Sequence, residues 1–321
     1  MRNSPSPLEV GKNLPTGDQS MPTPDFTHSF LQANGIRIHA VTCGETNSGG
    51  DQTPFLLLHG FPEFWYSWRY IMPLLAAPLE GPMHKVVAVD LRGYNLSSKP
   101  PHVKDYRLPT LCRDVVDVIS QISPPGQVYL VGHDWGGALA WDVARYYPQY
   151  VKKLFILNCP PADVLFQSIL KIPRQLFQSY YIFLFQIPLL IEQLLRHRKG
   201  AFIRRFYAHV RGPDGTYLHP EDINQYVKAY SIPRAASGVN YYRAALRDFI
   251  LRRANPHPPK VSCFTKVIWG VRDFALNVRL TQEFPEMVVP GKLRIKYVRN
   301  GTHHVQQNFP EICAQEILKH V

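Results

Sequence analysis

The sequence predicts an α/β protein: a mostly parallel central sheet flanked by helices, with a helical insertion near the middle of the chain. Three observations carry this. Short apolar runs closed by Gly or by polar residues alternate with helical stretches. The alternation stops at "NCPPADV" (158–164), and the chain up to about residue 253 is aromatic, basic and free of clear strand pattern. Two further strand-like runs then follow, so the insertion interrupts one sheet and reads as a lid.

Residues 1–24 hold five prolines and little apolar pattern, and predict a flexible tail. "IRIHAVTC" (36–43) alternates as a half-buried strand does. "FLLLHG" (55–60), "KVVAVDLRG" (85–93), "VYLVGH" (128–133) and "KLFILN" (153–158) are continuous apolar runs, the mark of strands covered on both faces. Between them, Trp65 to Leu75, Leu108 to Ile122 and Ala138 to Tyr147 have helical spacing. "KVIWG" (266–270) and "LRIKYV" (293–298) resume the strands, and a closing helix is expected near 309–320. The expected domains are a core of 25–159 and 254–321 and a helical cap of 160–253.

Composition excludes several classes. Hydrophobic residues make up 45% and charged residues 19%, a globular balance. The longest apolar run, "YIFLFQIPLLI" (181–191), is broken by Gln186 and Pro188 and is too short to span a bilayer. No basic-then-apolar leader is seen, so the expected location is cytoplasmic, with no integral membrane segment. The cysteines at 43, 112, 159, 263 and 313 are odd in number and widely spaced, which argues against a disulfide framework or a zinc site and for reduced thiols. The net charge is +12, and residues 160–253 carry 14 Lys/Arg against 6 Asp/Glu. These charges are scattered, match no nucleic-acid module and read as a solvated face. Nothing calls for a metal, nucleotide or flavin.

The chemistry begins at "VGHDWGG" (131–137). A strand-to-helix turn with glycines around a central nucleophile is an elbow that exposes the nucleophile at the sheet edge, and here that residue is Asp134. A helix starting here would also accept Asp as an N-cap. The "HGFP" turn (59–62) follows another strand, where such sheets supply an oxyanion-binding N–H. Phe61 N–H and Trp135 N–H are the expected donors, with a cis bond before Pro62. Serine hydrolases of this architecture run nucleophile, acid, histidine along the chain. Asp273 in "WGVRDFAL" (269–276) and His303 or His304 in "NGTHHVQQ" (300–307) fill those places, each just past a strand. The acid fixes the tautomer and orientation of the base.

"HGFPEFWYSWR" (59–69), "DLRGYNLSSKP" (90–100), "VGHDWGGALAW" (131–141), "NYYR" (240–243), "WGVRD" (269–273) and the His-x-x-Gln string together resemble the soluble epoxide hydrolase family of the α/β-hydrolase fold, from about residue 26 to the end. The family's string places the catalytic His before an aromatic, any residue and Gln. On "HHVQ" (303–306) this makes His303 the base, with His304 replacing the aromatic. The resemblance implies two cap tyrosines that act on the epoxide oxygen. Tyr242 of "NYYR" matches one, and Tyr181 matches the other with Tyr180 beside it.

A carboxylate nucleophile has its own logic. At an acyl carbon it would give a mixed anhydride. At a saturated carbon it gives an alkyl ester that activated water can hydrolyse. Epoxides and alkyl halides are the two substrate types this suits. An epoxide's leaving oxygen needs an acid such as a phenol, whereas halide needs N–H donors. All five Trp lie outside 160–253 and eight Tyr lie within it, which favours a small apolar epoxide. Phe166, Leu170, Phe177, Ile182 and Phe185 are expected to line its pocket. The alternatives are a haloalkane or haloacid dehalogenase with the same nucleophile, or a catalytically silent ligand-binding relative. A monomer or a homodimer is expected.

Overall fold

The computed structural model describes residues 25–45, 53–123, 126–196, 200–212, 215–251 and 257–321. The expected tail, 1–24, lies outside them. The chain begins with β1 (Thr27–Ala33) and β2 (Ile36–Cys43), joined at Asn34 and Gly35, whose φ values of 48° and 74° suit a tight hairpin. β1 gives no strand signal in the sequence because it is an edge strand facing solvent along most of its length. Then come β3 (Phe55–Leu58), α1 (Ile71–Ala76), β4 (Val86–Val89), α2 (Leu108–Ile122), β5 (Val128–His133), α3 (Trp135–Tyr146) and β6 (Val151–Leu157).

Among the described residues, seven α-helices follow: α4 (Ala162–Lys171), α5 (Pro173–Gln178), α6 (Tyr180–Leu184), α7 (Leu190–Arg196), α8 (Ala201–Tyr207), α9 (Pro220–Tyr230) and α10 (Val239–Ile250). They form the expected helical insertion. β7 (Phe264–Gly270), α11 (Phe284–Met287), β8 (Leu293–Val298), α12 (Val305–Asn308) and α13 (Pro310–Leu318) complete the chain.

The eight strands form one sheet in the order β1-β2-β4-β3-β5-β6-β7-β8. The β1–β2 and β2–β4 pairs are antiparallel and all others are parallel. Every residue of β3, β4 and β5 is buried, which is why these strands read as unbroken apolar runs. Each fully buried Val, Leu or Ile among them contributes about 1.5–3 kcal/mol of transfer free energy. α2 buries Leu111, Cys112, Val115, Val118, Ile119 and Ile122 along one stripe.

Several boundaries differ from expectation. The stretch from Trp65 is a 3₁₀ turn, Trp65–Trp68, followed by α1, and Trp65 N–H donates to the Asp90 carboxylate at 3.0 Å. The third helix starts at Trp135, three residues before Ala138, because close packing on β3 overrides the low helix propensity of Gly136 and Gly137. The closing helix expected near 309–320 is α13, which starts with Pro310 at its first position, and α12 is an extra short helix before it. All five cysteines are free thiols, with Cys263 half-buried and the others buried. Among the described residues no helix is long and apolar enough to cross a membrane.

Candidate active site

The parallel register brings the C-terminal ends of β3, β5, β6 and β7 together: Leu58 pairs with Gly132, His133 with Leu157 and Leu157 with Ile268. Functional side chains in such sheets sit at these ends. Asp134 leaves β5 at φ 48° and ψ −123° before α3 begins. A non-glycine residue held there stores about 1–3 kcal/mol of strain, which tight packing must offset. Gly136 permits that packing, since a Cβ on it would overlap the carbonyl of Leu58.

The Asp134 side chain makes no capping bond to its own helix. It turns across the sheet, where Phe61 N–H donates to its Oδ1 at 2.8 Å. The turn carrying Phe61 has the expected cis bond to Pro62. Gly60 lies so near that a Cβ would stand 2.6 Å from Asp134 Oδ1. Trp135 is the first residue of α3, and its indole stands edge-on to Tyr242 with ring centroids 4.9 Å apart.

Asp273 follows β7 and His303 follows β8. His303 Nδ1 lies 2.8 Å from Asp273 Oδ2, and its Nε2 lies 3.6 Å from Asp134 Oδ2. A carboxylate only accepts, so Nδ1 carries the hydrogen facing Asp273. The other oxygen, Asp273 Oδ1, accepts from the N–H groups of Ala275 at 2.7 Å and Leu276 at 2.8 Å. Burial disfavours the charged imidazole, but the carboxylates of Asp273 and Asp134 outweigh it and hold His303 well above the usual histidine range. Burial likewise opposes the Asp134 charge. The hydrogen bond and charge of His303, with help from His133 and Phe61 N–H, leave its carboxyl below the ordinary aspartate value.

The tyrosines sort themselves by exposure. Tyr180 is 63% exposed. Tyr181 packs against Tyr242 at 5.8 Å between centroids and against Phe185 at 5.6 Å. Phe61 meets Tyr242 edge-on at 5.4 Å. Burial first, and the negative charge of Asp134 second, push both phenols well above the usual tyrosine range, so each keeps its proton at neutral pH. Of the residues expected to line the pocket, Ile182 and Phe185 are buried, and two others are corrected. Phe177 faces solvent at 76% exposure, and Phe166 stacks on Phe249 along a separate cavity of about 740 Å³ between α2, α3, α4 and α10. The side chain of Leu170 lies outside what the structure describes.

Two groups escaped the sequence reading. Asn158, at the end of β6, donates Nδ2–H to Asp273 Oδ2 at 2.6 Å, while its Oδ1 accepts from Gly270 N–H at 2.7 Å. Glu63, fully buried, gathers the rest of the floor. Its Oε2 lies 2.9 Å from His133 Nδ1. Its Oε1 lies 3.1 Å from His304 Nδ1 and accepts from Gln306 Nε2 at 3.0 Å and Gln307 Nε2 at 3.2 Å. His304 thus packs among Phe206, Tyr207 and Phe274 as an aromatic would, and also ties its loop to Glu63. Burial raises the cost of the Glu63 charge, but the His133 and His304 contacts win and leave its carboxyl well below the ordinary glutamate range. The "HGFPE" string shows Glu63, but its partners lie 70 to 244 residues away in sequence.

Comparison with known proteins agrees with this architecture. A family model described as the alpha/beta hydrolase fold matches residues 53–234. "Epoxide hydrolase 3" of Mus musculus is 33% identical over 312 residues, spanning 97% of this chain and 80% of its own length. "Epoxide hydrolase 4" of Homo sapiens is 34% identical over 297 residues, spanning 91% and 78%. The solved structure of Bacillus megaterium epoxide hydrolase in complex with an inhibitor superposes with a TM-score of 0.80 at 25% identity, covering 91% of this chain and 99% of that one. The chain belongs to the epoxide hydrolase family of the α/β-hydrolase fold.

Proposed function

We propose that this protein hydrolyses small apolar epoxides to vicinal diols through a covalent ester on Asp134. The observation that carries the reading is the setting of one carboxylate. Its Oδ1 is held by Phe61 N–H, its Oδ2 faces His303 Nε2, and the protonated phenols Tyr181 and Tyr242 both feel its charge.

In the first step an Asp134 oxygen bonds to a ring carbon and the carbon–oxygen bond of the epoxide breaks. The departing oxygen takes a proton from Tyr181 or Tyr242. Forming the ester removes the charge of Asp134, one of the two carboxylates that keep His303 protonated. Burial then counts for more, the imidazole gives up its proton, which restores the phenol of the tyrosinate left by the first step, and His303 becomes the base for the second step. It takes a proton from water as that water attacks the ester carbonyl carbon. Phe61 N–H and Trp135 N–H hold the oxyanion. The intermediate collapses by expelling the diol oxygen, which takes the proton from His303; the Asp134 carboxylic acid left behind then gives its proton to His303, restoring the carboxylate and the charged imidazole. Asp273 orients the base throughout. The insertion, 160–253, acts as a cap over the core of 25–159 and 254–321. Five free thiols suit a reducing compartment, the cytoplasm.

His303→Gln tests the scheme. After exposure to an epoxide, its intact mass should rise by the mass of the substrate, because the ester forms and is not hydrolysed. An unmodified protein would contradict the scheme. Halide release from haloalkanes or haloacids without diol formation would favour the dehalogenase reading, and ligand binding without turnover would favour a silent relative.

A further inference from the structure

The segment from Gln175 to Leu194 buries Ile182, Phe185, Ile191 and Gln175, and leaves many large apolar side chains on its outer side. Inside, Gln175 Nε2 donates to Ala275 O at 3.0 Å, its Oε1 accepts from Asn277 N–H at 2.8 Å, and Gln178 Nε2 donates to Phe274 O at 3.0 Å. Outside, Phe177, Tyr180, Phe183, Ile187, Leu189 and Leu194 are exposed, recurring every two to five residues through α5, α6, the following turn and α7. So many exposed large apolar side chains within one segment mark an interaction site. Leu189 adds weight. It is 64% exposed and stands at φ 63°, a left-handed backbone that asparagine or glycine adopts with less strain. A leucine there serves neither the core nor the backbone.

The charges around the stripe identify what covers it. Residues 175–191 contain no charge at all. Lys171 and Arg174 stand exposed at one end, and Arg204 and Arg205 stand exposed on α8, which packs beside α7. From 164 to 212 the sequence holds eight Lys/Arg and one carboxylate, Glu192, which is neutralised by Arg243. A second copy of the same face would set two basic rims against each other. An anionic lipid surface complements both features: apolar side chains enter the boundary between headgroups and acyl chains, and the basic rim meets lipid charge.

We propose that the outer face of residues 176–194, with its basic rim, docks peripherally on anionic lipid bilayers. The basic stretch that the sequence alone reads as solvated then has a partner. The same short helix, α6, carries Tyr181 on its inner side and Tyr180 and Phe183 on its outer side, so docking brings the cap against the phase in which apolar molecules dissolve. That consequence rests on the proposed activity, while the docking itself does not.

The test is co-sedimentation of the full chain with vesicles of phosphatidylcholine alone and of phosphatidylcholine with about one third phosphatidylserine. Wild-type protein should pellet with the anionic vesicles, and the bound fraction should fall as salt is raised. Phe177→Ser with Leu189→Asn should weaken partition about ten-fold or more while leaving the thermal unfolding temperature in place. Lys171→Glu with Arg174→Glu should weaken it on anionic vesicles. The proposal is overturned if wild-type protein stays in the supernatant with anionic vesicles, or if the apolar double variant pellets as well as wild type. It is equally overturned if light scattering shows a wild-type dimer that the apolar variant dissociates and vesicles leave untouched, since the face would then pair copies of this chain. No outcome depends on epoxide turnover.

Discussion

His133 donates its Nε2–H to the backbone carbonyl of His303 across 2.8 Å, so the residue before Asp134 is tied to the His303 loop. A carbonyl can only accept, which fixes a hydrogen on Nε2. The opposite nitrogen lies 2.9 Å from the Glu63 carboxylate and 3.0 Å from Gln306 Nε2. The turns carrying Asp134 and Phe61 and the loop carrying His303 and His304 therefore share one buried anchor, Glu63.

Glu63→Gln removes that charge and nearly keeps its shape. We expect a loss of about 1.5–3 kcal/mol in unfolding free energy at pH 7, the usual worth of a hydrogen bond to a charged group. The pH dependence has a definite sign. The folded-state pKa of Glu63 is depressed, so its contribution is complete above the ordinary glutamate value of 4.5 and fades as pH falls from there towards the folded-state value. Denaturant titrations should show a constant gap between wild type and variant above pH 4.5 and a narrowing gap below it.

Asn158→Ala removes the second hydrogen bond to Asp273 Oδ2 and frees the carboxylate to turn away from His303. Hydrogen bonds to charged groups are worth about 1.5–3 kcal/mol, so the step that His303 catalyses should slow about ten- to a hundred-fold. Alkylation should be unaffected. In steady state the variant should accumulate the ester, visible by intact mass, with an unchanged single-turnover rate of substrate loss.

Tyr242→Phe and Tyr181→Phe should show the opposite pattern. Each removes a proton donor from the first step and should lower its rate by about a hundred-fold. The ester should not accumulate, because its formation becomes limiting. Rapid-quench measurement of substrate loss in a single turnover checks this.

The legibility of the sequence followed the range of the interactions. β3, β4 and β5 stood out because local hydrophobic pattern records burial on both faces of a sheet. Asp134, Asp273 and His303 stood out because each follows such a strand in the order the chemistry requires. β1 did not, because an edge strand is held by its partner rather than by its own pattern. Glu63 and Asn158 did not, because a buried polar residue looks like any other until the fold brings its partners to it. The outward apolar face of 176–194 was hidden for a related reason: periodicity shows a stripe and leaves open which way it points.

The central claim is that the Asp134 side chain bonds to carbon and is then freed by water. A single turnover in ¹⁸O-labelled water, with enzyme in excess over an epoxide, tests it most directly. The account predicts an unlabelled first diol and one ¹⁸O atom in the peptide containing Asp134. A labelled first diol with an unlabelled Asp134 would contradict it, because water would then have opened the ring directly.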